Sequence, residues 1–265
     1  MPVQPTKDWS IRSLRTKSVG QWKSMMLVQS PIVEQHIKDL TETFASLHLY
    51  NMRLNPEKCT FGVETGKFLG FMVSQRGIEI NPEKIWAILE LPSPKSVKDI
   101  QRLAGRIATL NRFISKSADK CLLFFKLLRN STRFVWDEQC EKAFVDLKTY
   151  LSSPPLLVSP EVGEKLYLYL ATSEETLAVV LIKETRKRQF PIYYVSKALH
   201  DFELNYSKIE KLAYSLIMAS RKLRQYFQSH PITVLIDQPL KEVLQRMTTS
   251  GQMVKWSIEL SEYGL

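Results

Sequence analysis

The stretch Lys67–Ile85, KFLGFMVSQRGIEINPEKI, limits what this chain can fold into more than any other. Phe68, Leu69, Phe71 and Val73 supply an apolar strand and Gln75-Arg76-Gly77 a turn. Ile78 and Ile80 then alternate with Glu79 as a second strand. Asn81-Pro82-Glu83 opens a helix. Asn81 offers a side-chain acceptor to the free N–H groups of the first turn, Pro82 stands where no N–H is needed, and Glu83 faces the positive helix end. A chain that passes so quickly from a two-residue to a 3.6-residue period belongs to a mixed fold with both sheets and helices.

The same residues carry a resemblance. FLGFMVSQRGIEINPEKI resembles the hairpin between palm and thumb in reverse transcriptases of gypsy-type LTR retrotransposons, whose pattern is roughly FLG-h-h-VS-x-x-G-I-x-x-x-P-x-K-h. The resemblance implies a piece of an RNA-directed DNA polymerase polyprotein that lacks the fingers and most of the palm. In those enzymes a YxDD box immediately precedes an MLVxS-like strand, and MLVQS stands here at Met26–Ser30. The two polymerase aspartates therefore fall on Ser24 and Met25. Neither side chain holds a divalent cation as a carboxylate does, so polymerase chemistry is not expected of this chain. Residues 1–25 read as a polar, basic, aperiodic tail, and residues 26–81 as a palm remnant with the hairpin.

Charge agrees with a phosphate-bearing partner. With 37 Lys and Arg against 27 Asp and Glu, the net charge is +10, and basic side chains release condensed counterions when they meet a nucleic-acid backbone. Cys59, Cys121 and Cys140 are too few and too scattered for a disulfide framework or a zinc site, and Cys59 reads as a small buried hydrophobe. The expected setting is intracellular, in cytoplasm or nucleus. No apolar run approaches the roughly 18–20 residues of a membrane span, so no membrane partner is expected.

From Pro31 to Asn51, Ile37, Leu40, Phe44, Leu47 and Leu49 fall mostly at helical spacing. Residues 82–133 read as three short helices. Ile85, Ile88 and Leu89 face one way in the first. Ser96 and Asp99 form the capping pair of the second, whose stripe is Val97, Ile100, Leu103, Ile107 and Leu110. QRLAGRIATLNRFI resembles the thumb of the same enzymes. Its candidate nucleic-acid-binding residues are Lys95, Lys98, Arg102, Arg106, Arg112 and Lys116, a basic face suited to phosphate contacts that position without reading sequence. Residues 134–160 form a connecting helix with Trp136, Cys140, Ala143, Phe144, Leu147 and Leu151 on one face.

Residues 161–265 read as strands 165–170, 178–182 and 190–195, a helix over 207–227, a strand over 232–236 and a helix over 239–247. This part resembles the RNase H-like domain fused to these reverse transcriptases. The whole is expected to be α+β: the end of a palm, a helical thumb, and an RNase H-like mixed sheet with flanking helices. An RNase H site needs three or four carboxylates around two magnesium ions. By resemblance the first falls on Ala171, the second on Glu210, the third on Asp237, and the fourth beyond Leu265. Glu210 and Asp237 are thus the remaining catalytic candidates, with no metal or cofactor expected, although the intact family uses magnesium. Glu174 and Glu175 lie on the wrong side of a turn to replace the first acid. The LYLYLA stretch resembles the plant branch, in which this domain serves as a connection.

The expected function is a non-catalytic, retrotransposon-derived module that binds an RNA–DNA hybrid or duplex, with an intact polymerase or polyprotein as possible partner. The alternatives are an active magnesium-dependent RNase H-type hydrolase and an inert or scaffold fragment.

Overall fold

The computed structural model describes residues 16–18, 21–23, 27–28, 30, 32–74, 76–129, 134–186, 188–245 and 251–264. The chain divides into two compact units, residues 1–75 and 76–265. Ser24 and Met25 lie outside the described residues.

In the first unit, β1 (Thr16–Ser18) and β2 (Gln21–Lys23) pair as a short antiparallel ribbon within the stretch read from sequence as a tail. Helix α1 (Val33–Leu49) forms where the helical period placed it. Its apolar stripe is only partly covered: Leu47 is buried, while Ile37 (60% exposed), Phe44 (43%) and Leu49 stand open. A buried polar group lies on this helix instead. Asp39 accepts hydrogen bonds from the Ser30 hydroxyl and the Gln35 amide, both at 2.6 Å. Strands β3 (Thr65–Phe68) and β4 (Phe71–Ser74) form a hairpin turning at Leu69-Gly70. The expected single strand from Phe68 to Val73 is therefore two. Leu69 and Gly70 both adopt positive φ (50° and 78°), the backbone that a two-residue hairpin turn demands. Cys59 is half-buried rather than enclosed.

The second unit begins with β5 (Gly77–Ile80) and α2 (Pro82–Leu89). Asn81 accepts the Glu83 N–H at 3.0 Å, the cap its sequence promised. Ile78 exchanges backbone hydrogen bonds with Leu157 in both directions, at 2.7 and 3.1 Å. Here Gly77 is required: at φ 140°, a Cβ would sit 2.1 Å from the Leu157 carbonyl oxygen. Helix α3 (Val97–Ala108) is capped by Ser96 and buries Ile100, Leu103 and Ile107. Helix α4 (Ser117–Arg129) buries Ala118, Cys121 and Phe124, and α5 (Glu138–Ser152) buries Cys140, Phe144, Leu147 and Leu151.

Trp136 ties these helices together. Its ring stacks on Phe124 and meets Phe144 edge-on, while its N–H donates to Glu141 at 2.6 Å. Ser93 donates to the other Glu141 oxygen at 2.9 Å, and together these bonds hold that carboxyl below its ordinary pKa. Burial pushes the Cys121 thiol up to about 12 and Cys140 to about 11, so both behave as small apolar groups.

The largest element is a four-stranded sheet in the order β8-β7-β6-β9. Strands β6 (Leu166–Thr172), β7 (Thr176–Thr185) and β8 (Arg188–Ala198) run antiparallel in succession, and β9 (Ile232–Leu235) pairs parallel to β6. Helix α6 (Lys208–Lys222) packs Leu212, Leu216 and Ala219 onto Leu166, Leu168, Val179 and Leu181. The helix expected over 207–227 breaks at Leu223 (φ −108°, ψ 22°), and α7 (Arg224–Ser229) follows. The bend keeps both Leu223 and Phe227 in the core. Beyond α8 (Leu240–Gln245), α9 (Gly251–Ser261) was not anticipated from the sequence. It buries Met253, Trp256 and Leu260 against the same core.

A second polar anchor lies beside this core. Lys197 donates to Glu203 at 2.5 Å and to the Tyr214 hydroxyl, which donates to the same Glu203 oxygen at 2.6 Å. Burial alone would lower the Lys197 pKa, but these bonds outweigh it and hold the ammonium above its ordinary value.

Truncating the fully buried Phe144 to alanine is expected to cost about 3–5 kcal/mol, measured by urea unfolding. Folding lowers the Glu141 pKa, so its carboxylate stabilises the folded chain above the unfolded-state value. That contribution is lost as pH falls through the lower, folded value. Glu141→Gln should therefore lower the thermal midpoint near neutral pH, with the gap to wild type closing in strong acid.

Candidate functional site

Parallel pairing of β6 with β9 determines where the sequence-predicted acid positions meet. The ladder ends at Tyr169↔Leu235. Ala171 and Asp237 each follow two residues later, at the same ends of neighbouring strands. Helix α6 packs on β6 and starts at Lys208, which puts Glu210 in its first turn. The fold therefore brings the three positions to one end of the sheet, although the sequence supplies carboxylates at only two.

Those two differ in how they are held. Glu210 is the third residue of α6 and closes a capping box. Ser207 donates its N–H (2.9 Å) and its hydroxyl (2.8 Å) to Glu210 Oε2, and the Glu210 N–H returns to Ser207 Oγ at 3.4 Å. Asp237 is exposed in the bend after β9. A site for two magnesium ions needs a carboxylate that bridges them. Alanine at 171 has no donor atom, and one oxygen of Glu210 already serves the helix cap. The donor set does not fit such a pair of ions. Among the described residues, no group of three or more His, Cys, Asp or Glu is arranged to hold a metal.

Sequence reasoning did not single out Lys211, beside Glu210. Only 8% exposed, it donates its ammonium to the Glu174 carbonyl at 2.8 Å. No periodic signal marks it, because the partner lies in a distant hairpin turn. Glu175, in the same turn, pairs with Lys126 at 2.7 Å.

The six basic candidates split into two groups. Arg106 donates to the Ala87 carbonyl and so fastens α3 to α2. Arg112 places its guanidinium 4.7 Å from the centre of the Tyr193 ring and 5.6 Å from that of Phe113. Both are half-buried. Lys95, Lys98, Arg102 and Lys116 are more open to solvent. Arg102 lies 3.6 Å from Asp99. The Asp99 carboxyl is held below its ordinary pKa by the Ser96 hydroxyl, the Lys95 N–H and the Arg102 charge.

A mixed sheet with one parallel edge pair, an antiparallel meander and α6 packed across its face is the architecture of an RNase H-like domain. Residues 136–234 match the RNase H-like domain found in reverse transcriptase. The longer chain is similar to the retrovirus-related Pol polyprotein from transposon 412 of Drosophila melanogaster, 30% identical over 87% of this chain and 19% of the relative. It is similar also to that from transposon opus of the same fly (31%, over 90% of this chain and 25% of the relative). The transposon Tf2-3 polyprotein of Schizosaccharomyces pombe is 25% identical over 90% of this chain and 18% of its own length. The chain thus spans a quarter or less of the length of these curated relatives. Among solved structures, foamy viral protease-reverse transcriptase has the same fold. One such structure, in complex with double-stranded DNA, superposes with a TM-score of 0.72 at 20% identity, over 88% of this chain and 42% of that one. Another, in complex with RNA/DNA hybrid, gives 0.71 at 21% identity, over 88% and 33%.

Replacing Ser207 by alanine removes the reciprocal cap and should destabilise the chain by about 1 kcal/mol. Glu210→Gln, which still accepts the cap bonds, should cost less. Urea unfolding of the two variants measures the difference.

Proposed function

We propose that this chain is a nucleic-acid-binding module derived from a retrotransposon reverse transcriptase, gripping RNA–DNA hybrid or duplex without cutting it. The observation that carries the reading is the contrast between its two surfaces. Where hydrolysis would need clustered carboxylates, Ala171 supplies none and Glu210 closes a helix cap. Where a duplex would need cations, Lys95, Lys98, Arg102 and Lys116 reach solvent on and around one helix. The solved neighbours were captured on double-stranded DNA and on RNA/DNA hybrid, which supports the choice of ligand.

Within this reading, residues 26–81 are the end of a palm, 82–133 the thumb, 134–160 the connecting helix and 161–265 the RNase H-like domain. The finer assignment to gypsy-type LTR elements, and to their plant branch, rests on FLGFMVSQRGIEINPEKI and LYLYLA. An intact polymerase or the parent polyprotein is the natural protein partner. Localisation in cytoplasm or nucleus follows from the ligand. No described helix is long and apolar enough to cross a membrane.

Phosphate contacts make affinity fall with salt, with a logarithmic slope of about −0.9 per contact on B-form DNA and a comparable dependence on hybrid. Titrating a labelled RNA–DNA hybrid against the protein from low to moderate salt should give a steep line. Lys95→Ala, Lys98→Ala, Arg102→Ala and Lys116→Ala should flatten it by up to about one unit each. Asp99→Asn, which removes the acid from that face, should tighten binding at low salt. Incubation of the same hybrid with magnesium should leave it uncut. Magnesium-dependent cleavage would overturn the proposal in favour of an active hydrolase. Salt-independent or absent binding would favour a scaffold.

A further inference from the structure

The turn between β6 and β7, Ser173–Glu175, follows directly on the strand that carries Ala171, and each of its residues, like Thr176 at the start of β7, is bonded. Ser173 Oγ accepts the Thr176 N–H at 3.0 Å and lies 2.9 Å from the Thr176 hydroxyl. The Glu174 carbonyl takes the buried ammonium of Lys211 from α6 at 2.8 Å. The Glu175 carbonyl accepts the Leu199 N–H at 2.7 Å, and its carboxylate pairs with Lys126 of α4 at 2.7 Å. Thr176, 1% exposed, donates its hydroxyl to Asp119, in the first turn of α4. Beside it, the Ala118 N–H donates to Ser196 Oγ at 3.1 Å, and that hydroxyl donates to the Leu177 carbonyl at 2.8 Å.

Helix α4 is thus held at both ends. Asp119 and Ala118 hold its first turn and Lys126 its last, all on the β6–β7 turn or the adjoining strands. Helix α3, which bears Lys98 and Arg102, packs on α4. The direction in which the basic face points is therefore set through α4 by a turn of the RNase H-like sheet. A surface of this kind tracks a duplex only if its cations match the spacing of the phosphates, so a shift of α4 would misplace several contacts together.

We propose that Asp119, Lys126, Glu175 and Thr176 are positioning residues for duplex binding: the turn beside the lost acid has become the seat that orients the cationic helices. The inference rests on the duplex-binding reading, and two independent readouts separate its failure from that of the reading.

The Lys126–Glu175 pair is half-exposed, with side chains 48% and 41% accessible, so reversing either charge leaves the core intact. Spin labels at Gln101→Cys on α3 and Glu184→Cys on β7, in a Cys59→Ser background, report the distance between helix and sheet in the full chain. The unmodified pair should give one narrow distance distribution. Lys126→Glu, Glu175→Lys and Asp119→Lys should each broaden it and flatten the salt dependence of hybrid binding, by about 0.9 for each phosphate that the cations no longer reach. The double reversal Lys126→Glu with Glu175→Lys should restore both. An unchanged distribution in the single variants would overturn the seat. A broadened distribution with unaltered affinity and slope would overturn its positioning role. If the unmodified chain fails to bind hybrid, the duplex reading falls and the positioning role with it, while the distance measurement still tests the seat itself.

Discussion

The pairing of β6 with β9 is the constraint on which the rest of this structure depends. The meander leaves the chain at β8 on one edge, so to pair β9 parallel to β6 at the other edge it must cross the face of the sheet, and it does so as α6 and α7. The crossover has to bury an apolar stripe, which Leu212, Leu216, Ala219 and Leu223 provide. Once that stripe is seated, the first turn of α6 arrives at the end of the sheet where β6 and β9 finish. The meeting of positions 171, 210 and 237 is a consequence of packing. It survives whichever side chains occupy them.

The packing therefore requires no carboxylate at any of the three positions. A cluster of carboxylates in one place is electrostatically costly unless a cation holds it, because like charges disfavour one another's ionisation. Alanine at 171 removes that cost. Glu210 satisfies two donors of Ser207 and contributes to helix stability. Lys211 then brings a buried ammonium to the turn beyond β6. In this chain that end of the sheet fastens backbone: a helix cap at Ser207 and a carbonyl at Glu174.

The helical segment shows the complementary arrangement. Of the six basic candidates between residues 95 and 116, Arg106 and Arg112 serve the interior by binding a carbonyl and stacking on aromatic rings. The other four, Lys95, Lys98, Arg102 and Lys116, face solvent, Arg102 beside Asp99. Planar guanidinium groups suit such half-buried duties, and lysine ammonium groups on flexible stems suit solvated phosphate contacts.

Much of the local structure was legible in the sequence. The caps at Asn81 and Ser96, the core stripe of α5 and the strands of the sheet are local patterns, read from neighbours a few residues apart; the capping box of Ser207 and Glu210 is equally local but was not read. The turn at Leu69-Gly70 escaped because a leucine in left-handed geometry leaves no compositional mark. The break at Leu223 escaped because tertiary burial overrides a continuous helical pattern; helix α9 went unread although Met253, Trp256 and Leu260 fall at helical spacing. What the sequence by itself determined was the alternation of elements and the absence of a carboxylate at 171, both properties of single residues and short spacings. What only the tertiary structure decided was which cations stay at the surface and how α4 is fastened to the β6–β7 turn. The fastening joins partners 49 and 57 residues apart in the chain, and no periodicity encodes such pairings.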